Sequence, residues 1–81
     1  MNWKLDPNDP YAWQVEGTPF GVEKIDHACY APFRLWNSNR LYVGEYTEQG
    51  RKDLLFRSRR EAMDYVEKAV KSYRASIITA V

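Results

Sequence analysis

The sequence predicts an α+β fold: a small antiparallel sheet of three to four strands with one C-terminal α-helix packed on one face. Three observations predict it. Residues 33–57 alternate apolar and polar side chains between turn signals, which is the period of strands. Residues 58–78 open on Ser58, with Glu61 three positions later, and then repeat Ala62, Val66, Ala69, Val70, Tyr73 and Ile77 as one helical stripe. The chain has 81 residues, enough for one domain, and its 44% apolar and 15% aromatic content is enough for a core.

Each element follows from local chemistry. Asp6-Pro7-Asn8-Asp9-Pro10 is turn sequence. Ala12 to Glu16 alternates and reads as a short strand, which Gly17-Thr18-Pro19 ends. Val22, Ile25 and Ala28/Cys29 recur at helical spacing, and Thr18 with Pro19 suits a helix start. A short helix over about 19–29 is therefore expected, with a bulged strand as the alternative. Phe33–Trp36 is a strand, Asn37-Ser38-Asn39 a turn, and Leu41–Thr47 a second strand. Glu48-Gln49-Gly50 is a hairpin loop with glycine where positive φ is wanted, and Arg51–Arg57 is a third strand. The single domain 1–81 thus divides into an N-terminal part (1–32), a β-meander (33–57) and a C-terminal helix (58–78). A helix of that length would overhang the sheet at Ile77, Ile78 and Val81, and a homodimer contact is one way to cover them.

Composition limits the function classes. No apolar run of about 18 residues exists, so no membrane span is expected, and residues 1–7 hold no apolar signal core. One cysteine allows no internal disulfide, which fits a cytoplasmic setting. The net charge of +1 hides an asymmetry. Residues 1–33 carry two cations against five acids, net −3; residues 34–81 carry ten against six, net +4. A basic half suggests an anionic partner.

The expected binding residues come from the meander and the helix start. With a turn over 37–39, one sheet face collects Phe33, Leu35, Leu41, Val43, Leu54 and Phe56 and seats the helix. The other collects Arg34, Trp36, Tyr42, Tyr46, Leu55 and Arg57, with Gly44 between them. Arginines among flat rings suit phosphates and bases, and the same residue types suit protein hot spots. Arg59 and Arg60 stand in the first helical turn, where the dipole favours acids, so they mark a further anion-binding candidate. Asp26-His27-Ala28-Cys29 is the one catalytic-looking cluster. A Cys–His pair two positions apart does not converge on either a strand or a helix, and two ligands do not make a zinc site. No enzyme, cofactor or metal is expected.

Residues 33–71 resemble the N-terminal arm-binding domain of tyrosine recombinases in Phe56, Ser58, Glu61 and Ala62 at the helix start. That resemblance implies a three-stranded sheet that contacts DNA through Arg34, Trp36, Tyr42 and Arg57. The layout is also similar to a double-stranded-RNA-binding domain if residues 19–29 are helical. Ser58, Arg59, Arg60 and Ala62 would then grip phosphates, although Met63, Asp64 and Tyr65 depart from that family's Lys and Ala. The leading expectation is a small accessory protein of phage or mobile-element type that binds DNA or RNA. The alternative is a protein-binding inhibitor or adaptor, for example a phage anti-defence protein, using the same aromatic face or the C-terminal overhang.

Overall fold

The computed structural model describes the backbone of residues 1–79 and the side chains of residues 1–75. Its elements are β1 (Trp3–Asp6), β2 (Asp9–Val15), β3 (Phe20–Asp26), β4 (Cys29–Trp36), β5 (Asn39–Tyr42), β6 (Gly44–Thr47), β7 (Gly50–Asp53) and α1 (Arg59–Thr79). β1 to β5 form one antiparallel meander in chain order, and β6–β7 form a separate hairpin. The α+β class stands, with more strands than the sequence suggested. The expected contact of Ile77, Ile78 and Val81 lies outside the described residues.

The segment expected as a short helix is β3. It pairs with β2 on one side and β4 on the other, with a register shift between Lys24 and Asp26. The bulged-strand alternative is therefore the correct one. Phe20, Val22 and Lys24 alternate with Gly21 and Glu23 across the sheet. Two flanking strands satisfy its backbone and override a helical spacing carried by only a few residues. The helix that a double-stranded-RNA-binding layout would need at 19–29 is thus a strand.

The second expected strand is broken at Val43. The Val43 N–H donates to the Pro32 carbonyl at 3.1 Å, and the Leu54 N–H returns to the Val43 carbonyl at 2.9 Å. Between these two bonds the chain leaves the sheet as the β6–β7 arm, of which all but Gly44 is exposed. The third expected strand likewise stops at Asp53, and Phe56 then bridges Tyr30 at the start of β4. The loop glycine performs as expected, with Gly50 at φ 113°.

Directly paired residues of an antiparallel sheet point to the same side. Trp3, Val15, Trp13, Val22, Phe20, Arg34 and Leu41 therefore share one face. That face seats α1 through a core of Val15, Val22, Ala62, Val66 and Val70, edged by Trp3, Phe20, Tyr30, Phe56 and Met63. The helix rests on β3 and β4. Of the six residues expected to seat it, Phe56 alone is in this core. Trp3 Nε1 donates to Glu67 at 3.0 Å and ties the sheet's first strand to the helix.

The opposite face closes on itself. Phe33 lies over Gly21, and Ala12 and Ala31 are buried beside them. The Arg40 guanidinium stands 5.1 Å from the Phe33 ring and binds Asp6 at 3.1 Å, Asp9 at 2.8 Å and Glu23. β1 and β5 are the two edges of the sheet. Four strand spacings would hold them about 19 Å apart in a flat sheet. The Arg40–Asp6 bond therefore requires a strongly curled sheet, clasped across its concave side.

The β4–β5 turn is built from Asn37 at φ 49° and Ser38 at φ 66°. Two consecutive left-handed residues match a two-residue hairpin turn that prefers Asn-Gly. Ser38→Gly, which relieves a strained side-chain position, should raise stability by about 0.5 kcal/mol, read as a higher midpoint in chemical denaturation.

Candidate functional site

The pairing of β4 with β5 decides which side chains meet. Phe33 faces Tyr42, Arg34 faces Leu41, Leu35 faces Arg40 and Trp36 faces Asn39. A turn over 37–39 would have matched Arg34 with Tyr42. The two-residue turn shifts the register by one and sends every β5 side chain to the other side. The expected single face of Arg34, Trp36, Tyr42, Tyr46 and Arg57 therefore does not exist.

Tyr42 lies on the concave side, where its hydroxyl donates to Glu23 at 3.0 Å. Burial, then the bond to Glu23, raises the phenol above its ordinary pKa. Tyr46 stands on the projecting arm, 88% exposed, opposite Arg51. The Arg51 guanidinium folds back onto the Tyr42 carbonyl and Asp53, close over Gly44. Arg57 is exposed after the Phe56 bridge.

The start of α1 is capped as expected. The Glu61 N–H donates to Ser58 Oγ at 3.2 Å, and the Ala62 N–H to the Ser58 carbonyl at 3.3 Å. The two cations of the first turn have structural partners. Arg59 stacks on Trp13 with its guanidinium 5.0 Å from the ring. Arg60 pairs with Asp64 one turn on, at 3.4 Å and largely exposed. A ring face offsets the unfavourable dipole at Arg59.

The register joins Arg34 and Trp36, expected on one face, with Leu41, expected on the other. Arg34, Trp36 and Leu41 lie on the helix side of β4 and β5, with Trp36 60% and Leu41 52% exposed. Because α1 rests on β3 and β4, the outer part of this face stays open. The Arg34 guanidinium is 5.8 Å from the rings of both Phe20 and Tyr73, which hold it in place. Among the described residues no carboxylate pairs with Arg34. Leu41 was missed because the turn was read one residue too long. The signal that could have found it was Asn37-Ser38, a two-residue left-handed turn.

Arg40 also went unremarked in the sequence. Burial works against its charge, but hydrogen bonds to Asp9, Glu23 and Asp6 outweigh that and move its pKa further up. The same Arg40 bond, helped by the Tyr11 N–H, holds Asp9 below the usual carboxylate range. These acids are committed to the clasp. His27 is exposed within the two-residue β3–β4 turn, and Cys29, half-buried, opens β4. Among the described residues no cluster of three or more His, Cys, Asp or Glu is arranged to hold a metal ion.

No family model, curated protein or solved structure matches the chain.

Proposed function

We propose that the protein is a small non-enzymatic binding module, of the adaptor or inhibitor kind, that docks a protein partner on the Arg34–Trp36–Leu41 surface. The observation that carries this reading is a large ring and a leucine, each more than half exposed, beside a cation with no carboxylate partner among the described residues. Trp and Arg are the side chains over-represented where protein interfaces concentrate their energy. The exposed Leu41 beside Trp36 favours a protein at this surface, because an aliphatic side chain neither stacks on a base nor pairs with a phosphate.

A second reading, binding of DNA or RNA at the start of α1, is favoured by one observation. Arg57 and Arg59 are exposed there with no carboxylate partner among the described residues. Affinity capture from the native cell separates the two. The protein reading expects one stoichiometric protein that survives nuclease and about 0.5 M salt, where surface charges are screened within a few Å. Trp36→Ser/Leu41→Ser should lose it, and Arg57→Ala/Arg59→Ala should keep it. Nuclease-sensitive capture that fades steeply with salt and vanishes in the arginine pair would establish the nucleic-acid reading instead.

A further inference from the structure

We infer that the occupant of this surface is an amphipathic helix of a protein partner, lying beside α1 and placing a carboxylate on Arg34. The inference rests on the protein-binding reading and specifies the partner. Packed helices lie 8–10 Å apart, which is about two strand spacings. With α1 on β3 and β4, a neighbouring helix at that distance falls over β5 and the open edge beyond it.

The flank of α1 that borders this space is shaped for such a neighbour. Tyr65, Ala69 and Tyr73 stand four residues apart and so line one side of the helix. Tyr65 touches Phe56, with ring centroids 5.6 Å apart, and Tyr73 meets Phe20 and Arg34. These contacts place the row on the β4 side. Ala69 is the smallest side chain of the row, so a partner's apolar side chain would pack over it between the two tyrosines. Leu41 and Trp36 form the floor and the far end.

An extended strand fits less well. The Leu35 N–H bonds to Pro19 and the Val43 N–H to Pro32, so in this ladder the main-chain groups of Arg40 and Tyr42 point off the β5 edge. Arg51 already occupies the Tyr42 carbonyl, and β5 is only four residues long. So short an edge, with one carbonyl already taken, is a weak template for strand addition. The charge of the partner follows from Arg34. A guanidinium held by two rings, with no acid of its own among the described residues, is set to take a planar carboxylate through two parallel hydrogen bonds.

The probe is a display library of 20-residue peptides with apolar residues fixed at helical spacing and all other positions randomised, selected against the full-length protein. The expected result is enrichment of Asp or Glu at one recurring position and helix formation on binding, seen by circular dichroism. Amide shift changes should centre on residues 34, 36, 41, 65, 69 and 73. Trp36→Ser and Arg34→Gln should each weaken binding about tenfold or more, the size typical of a central contact. Arg34→Lys should recover part of it, with the folded spectrum unchanged in all three. Selected peptides that bind the same surface in extended form, or without an acid, would overturn this inference and leave the protein-binding reading standing. Peptides that map elsewhere, or no enrichment at all, would overturn both. Self-association in sedimentation that Trp36→Ser abolishes would replace the partner helix with a second copy.

Discussion

Gly21→Ala should destabilise the protein by about 3 kcal/mol, near the upper end of what overpacking costs and enough to lower the melting temperature of a domain this size by about 15 °C. Gly21 is buried near the start of β3, beneath the Phe33 ring. A Cβ at this position would collide with that ring and with the Trp13 carbonyl. The carbonyl belongs to the adjacent strand and the ring is held by Arg40 from above, so neither yields easily. The effect comes from space and not from backbone freedom, since Gly21 has no left-handed φ. Thermal unfolding of the single variant checks it, and an unchanged midpoint would mean that Phe33 does not lie over β3.

Arg40→Met should cost about 2 kcal/mol at pH 7, because it removes charge-assisted bonds and leaves Asp6, Asp9 and Glu23 facing one another without a cation. The clasp is only partly buried, so the loss stays below that of a fully enclosed pair. The pH dependence gives a sharper signature, because its sign changes. In the natural protein Asp9 is held below its ordinary pKa by Arg40 and the Tyr11 N–H. A depressed carboxylate contributes stability that is present above the unfolded value, near 3.9, and is lost as pH falls through the folded value. Unfolding free energy should therefore stay level from pH 7 to about 5 and fall below about 4. In Arg40→Met, Asp9 loses the bond that lowers its pKa and faces two like charges, so its pKa rises and protonation relieves the repulsion. The variant should gain stability between pH 7 and about 5, and the gap between the two proteins should narrow toward acid. Denaturant titrations at four pH values would reveal parallel curves if the clasp carried no energy.

The parts of the fold that could be read in the sequence are those fixed by local chemistry. Ser58 with Glu61 marked the helix start, and Ala62, Val66 and Val70 marked its buried stripe. Gly50 marked the tip of the projecting hairpin. The parts that could not be read depended on neighbours distant in the chain. β3 carries Val22 and Ile25 three residues apart, a helical spacing, and only pairing with β2 and β4 overrides it. Ile25 is in fact exposed, which a helical core position would not be.

The candidate site turned on one residue of turn length. Asn37-Ser38-Asn39 read as a three-residue turn put Tyr42 beside Arg34 and Leu41 in the core. The structure turns on Asn37 and Ser38 alone, which exchanges the two. The unfavourable charges of the first helical turn had a similar fate. Arg59 sits where the dipole disfavours it because Trp13, more than forty residues earlier in the chain, offers a ring face. No local rule foresees that contact.

The central claim is that the open face beside α1 meets a protein. Photo-crosslinking in the native cell tests it most directly, with the reactive residue p-benzoylphenylalanine placed at position 36, at 41, or at 57 as a control. The account predicts one discrete protein adduct from positions 36 and 41, resistant to nuclease and absent from position 57. Adducts formed at 57 and removed by nuclease, with none at 36 or 41, would contradict it.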